Sequence, residues 1–153
     1  MIDVNEMAPD FTLPSTGGAE VTLSALRPAP VVLFFYPRDN TSGCTKEAVA
    51  FSGLLAEFEA AGVKVFGISK DSMASHDKFV AKQELTVPLL SDENGSVCEE
   101  FGVWAEKKMY GKTFMGIVRS TVLIDSTGKI SRTWPKVKVP GHAEEVLEAV
   151  KAL

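Results

Sequence analysis

The sequence predicts an α/β protein in which a mixed β-sheet is flanked by helices, and three observations carry that prediction. The run Val31-Val32-Leu33-Phe34-Phe35-Tyr36 is unbroken, apolar and rich in strand formers, as a strand buried on both faces should be. Behind it, Ala48, Phe51, Leu54, Leu55 and Phe58 recur at helical spacing, and Val63 to Ile68 then reads as a second strand. Near the end, Ser120–Asp125 and Lys129–Trp134 flank Ser126-Thr127-Gly128, a hairpin signal that adds antiparallel strands to the strand–helix–strand unit.

The other elements follow in order. Pro9 to Leu13 is a short extended segment ending at Pro14, Thr16-Gly17-Gly18 turns the chain, and Val21 to Leu23 is extended again. Pro37 ends the first core strand, and Asp39-Asn40-Thr41-Ser42-Gly43 is turn chemistry before the first helix, which Gly62 follows. Asp71 or Ser72 caps a second helix to about Gln83, with Phe79 in its apolar stripe. Val87 to Leu90 is extended, Ser91 to Gly95 turns, and a short helix through Val97, Cys98 and Phe101 stops at Gly102. Lys107, Lys108 and Lys112 around Met109-Tyr110-Gly111 read as a solvated loop, with docking of an acidic partner protein as the alternative. After Pro140-Gly141-His142 comes a last helix, Ala143 to Leu153, with Val146, Leu147 and Val150 on one face. This order, βαβ followed by ββα, is that of a thioredoxin-like fold.

At 153 residues the chain is expected to form one domain, residues 1–153. With 45% apolar and 24% charged residues it has enough material for a core and an ordinary polar surface. A net charge of −4 without a basic stripe argues against nucleic-acid binding. The longest apolar run is too short to cross a membrane, and the acidic N-terminus MIDVNEMAPDF lacks the basic start of a signal peptide, so a cytoplasmic protein is expected. Two cysteines, Cys44 and Cys98, do not make a disulfide scaffold. With only His76 and His142 beside them, no zinc site is expected, and both histidines read as capping or solvent-facing.

Cys44 holds the chemical interest. It falls in the first turn of a helix that directly follows a central strand. Unpaired N–H groups and the positive end of the helix dipole favour a thiolate there. Free cysteine titrates at about 8.5, and such positions with a cationic neighbour lower that to about 3.5–7.5. The thiolate is the nucleophile, so the position activates. Thr41 lies three residues earlier, where its hydroxyl can turn back over the helix end. Pro37 shapes the loop on one side of the thiol, and Gly43 allows close backbone approach. Arg119, at the start of the Ser120 strand, is the candidate cation. A buried, inert cysteine is the competing reading.

The stretch PRDNTSGC matches P-x-x-x-T-x-x-C, the signature of peroxiredoxins, and FFYPRDNTSGCTKE resembles their bacterioferritin comigratory protein branch, the Q type. APDFTLP, GISKDSMASHDKF, PLLSDENG, KKMYGKTFMGIVRSTVLID and PGHAEEVL resemble further segments of that branch in the same order, over nearly the whole chain. The resemblance implies a thiol-dependent peroxidase acting on hydrogen peroxide or organic hydroperoxides, with no metal, haem or flavin. It makes Cys44 the peroxidatic cysteine, Thr41 a hydrogen-bond partner of peroxide, Arg119 the stabiliser of thiolate and transition state, and Pro37 a guard against solvent. Glu47, one turn after Cys44, either anchors Arg119 or merely suits the first helical turn. Tyr36 and Trp104 either line the pocket or pack.

The sequence departs from the branch where a second thiol is common. Val49 stands five residues after Cys44, and Val80 stands at the matching position of the second helix. The chain therefore resembles a one-cysteine member, with an external reductant: thioredoxin, glutaredoxin or a small thiol. Cys98 is either a core residue or a resolving thiol acting within one chain or between two. The branch resembles monomers more than rings, so a monomer is expected ahead of a dimer. Rival classes are a thiol–disulfide oxidoreductase, which wants C-x-x-C where Thr45-Lys46-Glu47 stand; a cysteine hydrolase, which needs a histidine base; and a non-enzymatic redox-sensing or chaperone domain with an inert thiol.

Overall fold

A computed structural model describes residues 1–153. Its strands are β1 (Thr12–Pro14), β2 (Glu20–Thr22), β3 (Val31–Phe35), β4 (Lys64–Ser69), β5 (Leu89–Ser91), β6 (Trp104–Met109), β7 (Lys112–Ile117), β8 (Ser120–Ile124) and β9 (Ile130–Trp134). Its helices are α1 (Ser42–Ala60), α2 (Met73–Gln83), α3 (Val97–Glu100) and α4 (His142–Lys151). The central sheet has five strands in the order β5-β4-β3-β8-β9. β3 pairs parallel with β4 and antiparallel with β8, so the sheet is mixed and the thioredoxin-like arrangement is realised.

β3 explains why the sheet has a core on each face. All its residues are buried, and they alternate between two apolar clusters. Val32, Phe34 and Tyr36 enter the cluster under α1, α2 and α4. Val31, Leu33 and Phe35 enter the cluster on the opposite face, with Phe11, Val97, Phe101 and Ile130. A period of two on a doubly covered strand demands an unbroken apolar run, which is what VVLFFY supplies.

α1 begins where β3 runs out. Gly62 beyond its end adopts φ +78°, the left-handed turn that glycine takes without strain. Ala48, Phe51 and Phe58 form the buried stripe, and Phe51 stacks on Phe34 with ring centroids 4.4 Å apart. For α2 the cap is Ser72, whose Oγ accepts from the Ser75 amide. β8 and β9 form the expected hairpin, with a register shift between Leu123 and Ile124.

Two expectations are corrected. Residues 104–117 form a β-ribbon of β6 and β7 turning at Tyr110-Gly111, so Lys107, Lys108 and Lys112, expected in a loop, stand on its strands. The ribbon joins neither other sheet and stays mostly exposed, so its alternation carries little burial signal. Both histidines are buried, where capping or solvent-facing positions were expected. The His142 ring nitrogen Nε2 lies 2.8 Å from Thr121 Oγ1, and burial lowers its pKa to about 4.

Phe51→Ala should therefore cost about 3–5 kcal/mol, because it empties a stacked, fully buried site between sheet and helix. Urea unfolding followed by circular dichroism measures the loss.

Candidate active site

The β3–α1 connection places Cys44 in the first turn of α1, as its third residue. Its sulfur is covered: Cys44 is 1% exposed and belongs to the cluster under α1. β8 is the antiparallel neighbour of β3, so Arg119, just before β8, emerges beside the end of β3 and reaches α1. Arg119 Nη2 donates to Cys44 Sγ at 3.2 Å, and Nη1 donates to Glu47 Oε1 at 2.7 Å. Cys44 and Glu47 stand at i and i+3 on α1, which brings both onto the side facing the guanidinium. Of the two readings of Glu47, anchoring of Arg119 is the one realised.

The charges have defined physical causes. Burial works against the charge on Arg119, but the carboxylate and thiol together outweigh it and raise its pKa. Glu47 is 1% exposed, and its Oε2 has no hydrogen-bond partner. Burial raises its pKa from the ordinary 4.5 to about 7, against the opposing pull of Arg119. Gly43 makes room for the cation: a Cβ there would lie 3.2 Å from Arg119 Nη2.

Thr41 occupies the N-cap position of α1 with extended backbone, but its hydroxyl does not cap the helix. Thr41 Oγ1 donates to the Arg38 carbonyl at 2.8 Å, so the expected turn back over the helix end is corrected. Its proton is committed to Arg38, which leaves the oxygen as an exposed acceptor beside the helix start. Pro37 lines a groove of about 290 Å³ with Arg38, Trp104, Lys107, Phe114 and Met115. The ribbon thus forms the far wall of a groove that starts at the site loop. Trp104 takes part in it, whereas Tyr36 is wholly buried and packs.

Neither histidine hydrogen-bonds Cys44. His76 pairs with Asp39 at 2.7 Å and with the Leu90 carbonyl at 2.9 Å. Asp39, Asp71 and His76 bring possible metal-ligand atoms within 4.8 Å of one another. A carbonyl only accepts, so His76 Nε2 carries a proton, and Nδ1 faces a carboxylate; neither ring nitrogen is free for a metal. The importance of this network was missed in the sequence. Its one signal was Asp39, an acidic residue in a turn, which looks like ordinary turn chemistry.

The two thiols are free and lie on opposite faces of the sheet: Cys44 in the cluster under α1, Cys98 in the other. Burial, followed by the charge of Asp92, pushes the Cys98 thiol pKa well up. A disulfide needs Cα atoms within about 7 Å, and here the sheet stands between them. Val49 is exposed on α1, and Val80 of α2 packs against the core.

Residues 4–133 match the model of the AhpC/TSA family. The chain belongs to that family. It is 49% identical over 146 residues to a putative peroxiredoxin Bcp of Coxiella burnetii, covering 95% of this chain and 97% of that one. To peroxiredoxin Bcp of Escherichia coli it is 40% identical over 150 residues, covering 98% and 96%. Among solved structures it is similar to peroxiredoxin Q of Xanthomonas campestris, with TM-score 0.88 and 48% identity over 93% of this chain and 90% of that one. A further structure of the Xanthomonas bacterioferritin comigratory protein concerns its alkyl peroxide reduction activity. Within the AhpC/TSA family this chain is a peroxiredoxin of the Bcp or Q type, a thiol-dependent peroxidase with a thioredoxin-like fold. None of its helices is long and apolar enough to cross a membrane.

The buried carboxyl of this peroxiredoxin makes its stability depend on pH. Glu47 prefers its proton in the folded state, so its contribution is complete below pH 4.5 and is lost as pH rises through about 7. Glu47→Gln removes that dependence while still accepting from Arg119. Between pH 5 and pH 8, urea unfolding should show the stability difference moving in favour of the Gln variant by about 2.5 kcal/mol.

Proposed function

We propose that Cys44 is the nucleophile that this peroxidase turns on peroxides. The carrying observation is the single guanidinium of Arg119 that holds both the sulfur and the Glu47 carboxyl. A cation 3.2 Å from the sulfur favours the thiolate and lines up with charge that leaves sulfur during attack.

In the reaction the thiolate attacks one peroxide oxygen and forms an S–O bond while the O–O bond breaks. The electron pair departs with the second oxygen, which takes a proton and leaves as water or an alcohol. Sulfur is oxidised to a sulfenic acid and the peroxide is reduced. Thr41 Oγ1 accepts the peroxide O–H, and Arg119 with the first α1 amides, near Gly43 and Cys44, faces the oxygens where charge grows. Glu47 orients Arg119. Pro37 closes one side of the site and with Trp104, Phe114 and Met115 gives the groove an apolar wall. That wall suits organic hydroperoxides as well as hydrogen peroxide.

The return to thiol needs two electrons from outside. An external thiol attacks the sulfenic sulfur, releasing water and leaving a mixed disulfide; a second thiol then frees Cys44. Cys98, buried on the other face, takes no part, and the reductant is a thioredoxin, a glutaredoxin or a small thiol. We read the chain as a single domain, working as a monomer in a reducing compartment such as the cytoplasm, where its reactive thiol stays free.

Cys44→Ser should abolish peroxide consumption, and Arg119→Met should lower kcat/KM by about 10²–10³ with the fold intact by circular dichroism. Rapid mixing with hydrogen peroxide or an alkyl hydroperoxide measures both. Full activity in Cys44→Ser would refute the assignment. After one equivalent of peroxide, mass spectrometry should find a sulfenic acid on Cys44 and an unmodified Cys98. A Cys44–Cys98 disulfide would overturn the external-thiol reading.

A further inference from the structure

The loop that presents Thr41 and Cys44 is fastened at one point. Arg38, Asn40, Thr41 and Ser42 are exposed, and Asn40 adopts φ +60°. Asp39 between them is 6% exposed. Its Oδ1 accepts from Tyr36 Oη at 2.6 Å. Its Oδ2 accepts from His76 Nδ1 at 2.7 Å and from Ser75 Oγ at 2.8 Å. Its own amide donates to Asp71 Oδ2 at 2.8 Å, and that oxygen also accepts from Ser69 Oγ at 2.6 Å. The Thr41 hydroxyl, by contrast, bonds inside the loop, to Arg38. The hydrogen bonds that tie residues 37–41 to β4 and α2 therefore all end on Asp39.

The partner of Asp39 is a cation held from behind. His76 Nε2 donates to the Leu90 carbonyl at 2.9 Å while Nδ1 meets the carboxylate, so both nitrogens carry protons. Burial disfavours that imidazolium, but the bond and charge of Asp39, with the Leu90 carbonyl, outweigh it and raise its pKa. The Asp39 carboxyl is correspondingly held below its usual range: burial opposes ionisation, and the His76 and Tyr36 hydrogen bonds overcome it. A buried pair of this kind stands or falls as a unit, because losing one partner strands the other.

Cys44 presents opposite demands to its two reaction partners. A small peroxide needs Thr41, the α1 amides and Arg119 held in register. A thiol bulkier than peroxide must reach a sulfur that is 1% exposed. We propose that Asp39 is a positioning residue whose carboxylate, clamped by His76, Tyr36 and Ser75, latches the Pro37–Gly43 loop closed for peroxide attack, and that its release opens Cys44 to the reducing thiol. This rests on Cys44 being the nucleophile. It assigns the network behind the site a part in both halves of the cycle without giving it contact with peroxide.

The test separates the half-reactions in the full-length enzyme. Reduced Asp39→Asn, mixed with hydrogen peroxide under single-turnover conditions, should oxidise Cys44 about a hundredfold more slowly, the scale of a small displacement of reacting groups. The same variant, first oxidised to the sulfenic acid, should react with reduced glutathione faster than wild type. His76→Asn should shift both rates in the same directions, and the double variant should be no worse than either single one, because the two act as one latch. If Asp39→Asn does not fold, Tyr36→Phe and Ser75→Ala each remove one donor from the same carboxylate and should give smaller shifts of the same opposite signs. Unchanged rates, or both half-reactions slowed together, in folded variants would overturn the latch. A wild-type enzyme whose Cys44 is not the group oxidised would instead overturn the assignment beneath it.

Discussion

Arg119 has to satisfy two groups on one turn of α1, the Cys44 sulfur and the Glu47 carboxyl, and much of the fold is arranged so that it can. It comes from the strand beside β3, which brings it to the end of β3 where α1 begins. Gly43 leaves the gap through which its Nη2 passes. Glu47 sits a turn further in, where burial makes an isolated carboxylate expensive and the guanidinium compensates only in part. One cation shared between two acidic groups keeps the site close to electrical balance and holds the guanidinium at a fixed distance from sulfur. A lysine would supply the charge without the planar fork that reaches both partners at once.

The same β3–α1 connection is held on its other side by a second charged network of different character. Arg119 faces Cys44 and Glu47; the Asp39–His76 pair faces the interior, between the loop and α2. Neither network shares a residue with the other. In the proposed cycle this separation lets the loop be rigid during attack on peroxide without the site itself supplying the rigidity. It also fits a chain with Val49 and Val80 where relatives of this type can carry a second thiol. On an α-helix, residues five apart point about 140° away from each other. A thiol at residue 49 would therefore reach Cys44 only by unwinding α1. Without such a thiol, the proposed opening has only to admit an outside one.

Placing Cys98 on the far face of the sheet gives the two cysteines separate lives. Cys98 is a small apolar residue of the second cluster, with its amide bonded to the Asp92 carboxylate and its thiol kept protonated by burial and that same charge. One thiol stands beside a guanidinium and the other beside a carboxylate, so a single chain holds two cysteines in opposite electrostatic surroundings. The exposed ribbon of β6 and β7 adds a boundary to the groove beside Pro37, with Tyr110 at its tip 97% exposed.

The local sequence by itself determined the core strands, the helices and the position of Cys44 at a helix start. An apolar run of strand length, a proline stop, turn residues and a helical stripe are local signals, and they place a thiol at a helix N-terminus without reference to anything distant. The pairing of Arg119 with Glu47 was half legible, since it depends on β8 lying beside β3. The ribbon was not legible, because strands exposed on both faces carry no burial pattern to read. Nor were the buried histidines: a histidine among polar neighbours looks the same in sequence whether it faces water or a carboxylate. Only the tertiary structure decided that Asp39 and His76 meet, that Thr41 bonds Arg38 instead of capping α1, and that a sheet separates the two thiols. The first and last of these turn on long-range packing, and a hydrogen bond between residues 37 positions apart leaves no periodic trace in the chain. The Thr41 bond is local, but two nearby backbone partners compete for one hydroxyl and only the folded loop selects between them.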